Sequence, residues 1–391
     1  MNDIAERGIY TDLMREFVKN GHKICILSPS EKRDKKQTHI IQSCGATIIK
    51  VKTGNIMKTG KIRKGIATIL LEHQFTNAIR NCFSNMCFDL VLYSTPPVTF
   101  AKAIQYVKTR DKALSYLLLK DIFPQNAVDL GMLSSKGLLY RFFRRKERNL
   151  YCMSDYIGCM SQANVEYLLR NNTYLDKSRI HVNPNSLDLI PLDSTPEPRN
   201  TARKNLGIPK GSKVFIYGGS LGKPQCVRFI IACLTLNQNK KDRYFIICGG
   251  GTDAYLLKKY VKENMPNNVQ LFDMLPQDEY TKMIAAADVG LVFLDNRFTI
   301  PNFPSRLLSY MESGLPILAC TDPNTDVGTT ITDGGFGWWC ESDHAGKFTD
   351  MVDMICKEDV SVFGQRGRKY FEDHYTTAHS YRIMMEMLVN K

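Results

Sequence analysis

Apolar residues at Ile9, Leu13, Phe17 and Val18 recur at helical spacing and Gly21 follows as a stop, so the chain opens on a helix over 9–20. Lys23-Ile24-Cys25-Ile26-Leu27 then reads as a short buried strand ended by Ser28-Pro29-Ser30. The alternation continues with a helix near 38–44 and strands over 47–51, 88–93, 114–119, 156–160 and 180–182. Between 191 and 209 Pro, Thr, Asp and Arg dominate without an apolar period, which predicts a linker between domains. Strands over 213–217, 244–248, 269–272, 289–294 and 316–320 then alternate with helices again. Such alternation builds a parallel α/β sheet with helices on both faces. The pattern therefore predicts two doubly wound, Rossmann-like domains, 1–195 and 196–372, and a terminal helix within 373–391 that packs back toward the first. An open sheet of this kind begins with its central strand, whereas here a helix comes first. The missing opening strand implies either that about 10 to 15 residues have been lost from the start or that the first sheet is atypical.

A length of 391 residues suits two domains, and a composition 43% apolar and 23% charged excludes collagen, long coiled coils and intrinsic disorder. Charge changes the picture more. The formal net charge is +13; dividing the chain after Thr195 leaves 29 Lys/Arg against 17 Asp/Glu before the cut, or +12, and 23 against 22 after it, or +1. A basic first half attracts phosphate in any form, whether nucleic acid, an anionic membrane surface or a phosphorylated small molecule. The twelve cysteines show no C-x-x-C pair and no Cys/His spacing for zinc, so reduced thiols and no metal are expected. No run reaches the ~20 apolar residues of a membrane span and no signal pattern opens the chain, which predicts a cytoplasmic protein able to rest on a membrane.

Three loops of the second half follow strands and precede helices, so a parallel sheet gathers them at its carboxyl edge. Gly218-Gly219-Ser220-Leu221-Gly222-Lys223 and Gly249-Gly250-Gly251-Thr252-Asp253 let backbone N–H groups approach an anion, although glycines after strands also serve simply as turns. The third loop ends in Pro304-Ser305-Arg306 ahead of a helix that Gly314 stops. Ser305 is placed to cap that helix and Arg306 to bring a bidentate cation beside it, which together make a diphosphate cradle.

The run Pro304-Ser305-Arg306-Leu-Leu-Ser-Tyr-Met-Glu-Ser-Gly-Leu-Pro-Ile resembles the nucleotide-sugar-binding helix of the family 4 retaining glycosyltransferases of GT-B architecture. It is joined in family order by Val214-Phe-Ile-Tyr-Gly-Gly-Ser-Leu-Gly-Lys, Phe245-Ile-Ile-Cys-Gly-Gly-Gly, Ala286-Ala287-Asp288-Val289-Gly290-Leu291 and, in the first half, Ser94-Thr-Pro-Pro-Val, Asp121-Ile-Phe-Pro-Gln-Asn and Val182-Asn-Pro-Asn-Ser. The set is most similar to the bacterial surface-polysaccharide branch that includes WbuB-type transferases. The resemblance implies two domains facing across a cleft and transfer of a sugar from a nucleotide diphosphate donor, usually UDP-linked, to an acceptor hydroxyl, with retention and with neither metal nor cofactor. It implies that Gly218, Gly219 and Ser220 line the diphosphate, that Ser305 and Arg306 clamp it, and that Gly8 approaches the donor phosphate. Lys223 stands in for the family's loop cation, Gly250 lines the donor, and Met274 and Leu275 border the base. Many members carry two Glu seven residues apart, the second on the ribose; here those places hold Pro301 and Ser309.

Asp121, by the same resemblance, orients the acceptor hydroxyl or the donor sugar, or else merely caps a helix, and Thr95 and Pro96 form a cleft rim. The acceptor in such enzymes is often an oligosaccharide on a polyprenyl diphosphate. The stretch 137–151 interleaves Leu, Tyr and Phe with five Arg/Lys, and Arg141, Phe142, Arg144 and Arg145 are its candidate contacts with an anionic membrane; a plain solvated helix fits the same pattern. Three rivals remain. Gly249 to Ala254 fits G-x-G-x-x-A with Asp273 about 20 residues on, as in an NAD-dependent oxidoreductase. Pro301 and Ser309 allow an inactive sugar- or lipid-binding relative. Charge alone suggests nucleic acid, for which no recognition motif is present.

Overall fold

The opening amphipathic run forms helix α1 (Ile9–Lys19), which buries Leu13 and Phe17. Its first turn is closed by Asp12, whose carboxylate accepts the Gly8 N–H at 2.8 Å. The computed structural model describes residues 3–55, 60–191 and 196–389, and divides into one unit of Met1–Asp188 with Thr376–Lys391 and a second of Leu189–Tyr375.

In the first unit β1 (Ile24–Glu31), β2 (His39–Ser43) and β3 (Ala46–Thr53) form one sheet in the order β1-β3-β2. After α2 (Lys61–Cys82), the strands β4 (Leu90–Ser94), β5 (Leu114–Leu119), β6 (Tyr156–Cys159) and β7 (Ile180–Val182) form a second, all-parallel sheet in sequence order. Between them run α3 (Ala101–Asp111), α4 (Gln125–Asp129), α5 (Leu138–Met153) and α6 (Gln162–Asn171). The expected single doubly wound sheet is thus two sheets here: among the described residues no strand precedes α1, and β1 and β4 each pair on one edge only.

The helix expected near 38–44 is instead β2, antiparallel to β3 with Ser43 opposite Ala46. Cys44 and Gly45 both take positive φ, 44° and 83°, the two-residue hairpin geometry whose twist matches the strands it joins. Ile40 and Ile41 suit such a strand better than a helix.

The second unit holds a single parallel sheet of β8 (Lys213–Ser220), β9 (Arg243–Gly250), β10 (Val269–Phe272), β11 (Val289–Phe293), β12 (Ile317–Thr321) and β13 (Gly337–Glu341). Its order is β10-β9-β8-β11-β12-β13, so the winding reverses between β8 and β11. In open α/β sheets ligands bind at that reversal, beyond the carboxyl ends of the strands. The strands are almost continuously apolar and buried, as a sheet covered on both faces requires. They are covered by α8 (Val227–Asn237), α9 (Ala254–Asn264), α10 (Gln277–Ala285), α11 (Arg306–Glu312), α12 (Val327–Asp333), α13 (Ala345–Ile355) and α14 (Ser361–His374). Cys320 and Cys340, neighbours across β12 and β13, bring two buried thiols to 3.4 Å, a pairing invisible in their spacing.

Part of the expected linker is helix α7 (Pro196–Asn205). It lacks an apolar stripe because polar bonds anchor it: Arg199 and Arg203 both pair with buried Asp288, and Arg203 Nε donates to the Ala286 carbonyl at 2.9 Å. Asp288 also accepts the Val214 N–H at 2.6 Å, tying the helix to the start of β8. The terminal helix α15 (Thr377–Val389) belongs to the first unit, where Tyr381 meets His22 Nε2 at 2.8 Å and stands edge-on to Phe17. His22 is thereby a packing residue.

Removing the shared carboxylate strands two guanidinium groups and a backbone donor. Asp288→Ala is expected to lower stability by about 2–4 kcal/mol in urea unfolding, with a correspondingly lower Tm.

Candidate active site

At the winding reversal β8 and β11 pair through Phe215 and Ile216 alone before they part. Tyr310 of α11 fills the opening: its hydroxyl donates to the Ile216 carbonyl at 3.1 Å and accepts the Gly218 N–H at 3.2 Å. Gly290 makes room for the phenol, since a Cβ there would collide with its ring. One side chain therefore holds the end of β8 away from β11 while satisfying the backbone groups that separation exposes.

Directly above, Arg306 lies over the Tyr217 ring, its guanidinium carbon 4.2 Å from the centroid. It also rests on the glycine loop: a Cβ on Gly219 would collide with the guanidinium and one on Gly218 with the Tyr280 phenol. Gly219 has a φ of 135°, which other residues rarely adopt. Burial raises the phenol pKa values of Tyr217, Tyr280 and Tyr310, so all three stay neutral near pH 7. Among the described residues Arg306 makes no ion pair with a carboxylate, so its charge remains available to an anion.

Other loop residues have different work. Gly249 and Gly251 are glycine because the Gly219 and Leu221 carbonyls press against them, and the Gly250 carbonyl accepts the Leu221 N–H at 2.9 Å. This second glycine loop thus buttresses the first, and Gly250 keeps an open Cα face. Ser305 occupies the N-cap position of α11 without its side chain accepting a capping hydrogen bond, contrary to expectation, and the Ser309 hydroxyl donates to the Arg306 carbonyl at 3.0 Å on its own helix. Lys223 and Met274 are exposed, whereas Ser220 ends β8 and Leu275 is half-buried. Asp295, buried just past β11, donates its N–H to the Pro224 carbonyl at 2.9 Å and holds half-exposed Arg297 at 2.7 Å. That pair, which lies in no recognisable motif, sets a second cation beside the glycine loop.

In the first unit Asp121 and Lys120 lie at the carboxyl end of β5. Thr95, buried, donates its hydroxyl to the Asp121 carbonyl at 2.9 Å and so joins the ends of β4 and β5. Burial raises the Asp121 carboxyl to about 6, although it accepts the Asn126 amide at 2.7 Å, and lowers the Lys120 ammonium to about 7. Sequence reasoning missed Lys120 because nothing in its spacing signals desolvation. Gly8 commits its N–H to Asp12, so that amide is not offered to a phosphate as expected.

Residues 198–370 match the family described as Glycosyl transferases group 1. The second unit carries a group 1 glycosyltransferase domain. Over 290 residues the chain is 27% identical to the probable glycosyltransferase WbjE of Pseudomonas aeruginosa, covering 74% of this chain and 71% of that protein. Its fold is that of GT-B glycosyltransferases: sucrose-phosphate synthase from Thermosynechococcus elongatus superposes with a TM-score of 0.79 at 13% identity, covering 100% and 98% of the two chains. HepE of Anabaena, solved with UDP-glucose, gives 0.67 at 13% identity over 94% and 100%, and WaaG, a glycosyltransferase involved in lipopolysaccharide biosynthesis, 0.61 at 13% identity over 96% and 95%.

The oxidoreductase alternative fails on topology in this glycosyltransferase. Its candidate motif follows β9, the second strand of the unit, the glycines are filled by neighbouring backbone, and Asp273 pairs with Lys258 at 2.6 Å. Within α5 Arg141, Phe142 and Arg145 are exposed, but Arg144 turns inward to buried Glu147 and to Asn172 Oδ1 at 2.7 Å, which removes it from the expected membrane contacts.

Tyr310→Phe removes the partner of the Gly218 N–H and is expected to cost about 1–3 kcal/mol in thermal unfolding. Asp121 binds its proton more tightly folded than unfolded, so the stability it contributes is full below about pH 4 and is lost as pH rises through about 6. Asp121→Asn is therefore expected to gain about 3 kcal/mol over the parent at pH 8 in urea unfolding, and the gap to close at pH 4.

Proposed function

We propose that the protein is a retaining, metal-independent glycosyltransferase that moves a sugar from a UDP-sugar to a lipid-linked or growing oligosaccharide in surface-polysaccharide synthesis. The observation that carries this reading is Arg306, a cation without a carboxylate partner among the described residues, laid on Tyr217 and Gly219 at the winding reversal of the sheet. Charge builds on the leaving diphosphate as the anomeric bond breaks, and a fixed guanidinium stabilises it there. Lys223 and the Asp295-tethered Arg297 add cations at the rim. The uridine choice draws support from HepE, solved with UDP and with UDP-glucose, and the polysaccharide setting from WbjE and WaaG. On the acceptor side Asp121 orients the incoming hydroxyl, as its raised pKa and position at the end of β5 allow. The family 4, WbuB-like assignment belongs to this proposal as well.

Arg141, Arg145 and Phe142, exposed along α5, rest on an anionic membrane face in this reading, which makes the protein peripheral on the cytoplasmic side. No helix among the described residues is long and apolar enough to cross a membrane. Ser309 and Pro301 keep open the second reading, a sugar-binding relative without transfer activity.

UDP is expected to raise the Tm, and NAD not to. Arg306→Ala should weaken UDP binding at least tenfold by calorimetry, in line with loss of a charge-assisted bond of about 1.5–3 kcal/mol. Gly219→Ala should do the same by displacing the guanidinium. A screen of UDP-sugars should show transfer, or slow donor hydrolysis, that persists in EDTA; UDP binding with neither would favour the inactive relative.

A further inference from the structure

On the first unit, away from the residues placed in transfer, α2, α3 and α5 enclose a pocket of about 430 Å³ lined by Arg80, Lys102, Lys146, Tyr106 and Phe142, with Glu72 in its wall. Three cations face one carboxylate. Glu72 is largely committed, accepting the Lys102 backbone N–H at 2.6 Å at the head of α3 and standing 3.7 Å from Lys146 Nζ. Arg80 and Lys102 make no ion pair with a carboxylate among the described residues. The aromatic rings position the cations: Arg80 stacks on Tyr106 at 4.9 Å and Lys146 on Phe142 at 5.9 Å.

Phe142, which lines the pocket, is 38% exposed, and one turn earlier on the same helix Leu138 and Leu139 are 83% and 55% exposed. On α5 these three residues share one face, turned away from buried Glu147 and Tyr151. An anion site edged by exposed leucines fits a ligand that carries its own apolar surface.

We propose that this pocket holds the phosphate headgroup of an anionic phospholipid while Leu138, Leu139 and Phe142 enter the membrane interface beside it. The inference rests on the membrane side of the reading above and gives it a discrete site. A basic helix alone would sense only surface charge, about 1 kcal/mol for each Lys or Arg near it. A pocket adds selection for a phosphate presented at a lipid surface, and anchors the enzyme at a fixed orientation to it.

The test is co-sedimentation of the full chain with phosphatidylcholine vesicles with and without phosphatidylglycerol. Binding is expected only with phosphatidylglycerol. The triple variant Arg80→Gln/Lys102→Gln/Lys146→Gln should lose well over a hundredfold in affinity, more than three diffuse charges account for, whereas Arg141→Gln/Arg145→Gln/Arg148→Gln, which removes as much charge outside the pocket, should lose about a hundredfold at most. Equal losses would reduce the effect to diffuse charge and overturn the site. Leu138→Gln/Leu139→Gln should also release the vesicles; retained binding overturns the lipid assignment, as does calorimetric binding of inorganic phosphate as tight as that of vesicles. Each variant is checked for a retained Tm shift with UDP, which shows that it is folded; in the parent, a UDP shift without vesicle binding sinks this inference alone, while absence of any shift sinks the donor reading instead. Lys102→Gln alone, at the exposed end of the pocket, gives the same comparison should the triple variant fail to fold.

Discussion

The crevice of the second unit depends on how the end of β8 is kept apart from β11. A parallel pair that stayed hydrogen-bonded to its end would close the crevice where the winding reverses. Tyr310 prevents this by taking over the Ile216 carbonyl and the Gly218 N–H. Because Tyr310 lies four residues after Arg306 on the same short helix, the group that opens the crevice also sets the position of the cation inside it. The phenols around that cation remain neutral through burial, so its charge is directed at whatever anion enters.

Charge is distributed differently in the two units. The second is nearly neutral and concentrates its effect in a few placed groups: Arg306 on the glycine loop, and Arg297 held by Asp295. The first carries most of the excess, and many of its cations remain at the surface rather than in ion pairs. Arg144 is the instructive exception, since its bonds to Glu147 and Asn172 make it a fastener between α5 and the segment after α6. A run of basic residues on one helix thus divides into structural and free members according to which face each occupies.

Strand and helix alternation was legible because buried parallel strands are apolar runs, and 114–119, 180–182 and 269–272 were read to the residue. Elements held by polar bonds were not. Helix α7 has no apolar stripe to read, since Arg199, Arg203 and Asp288 supply its attachment from residues some 85 positions apart in sequence. β2 was taken for a helix because two adjacent isoleucines fit either period, and the deciding signal was the Cys44-Gly45 turn after them. At the site, motif spacing points to Gly218, Gly219 and Arg306, but it does not separate glycines that lie against side chains of the crevice from Gly249 and Gly251, which meet a neighbouring carbonyl. Lys120, Tyr280 and Asp295 owe their character to burial, which is a property of the assembled chain.

The two sheets of the first unit have a bearing on how the chain behaves when it is made. β1 and β4 each leave one row of backbone donors and acceptors without a partner strand among the described residues, and every residue of β4 is only half-buried. Unpaired parallel edges of this kind are templates for another chain, although the side chains of β4 are already engaged, Val91 in one apolar cluster of the unit and Leu90 and Leu92 in another. Pro29 interrupts the donors of β1, but β4 carries no proline, lysine or bulge to blunt its edge. In a partly folded chain, where those clusters have not yet formed, β4 is therefore the strand of this half most open to pairing with a second copy.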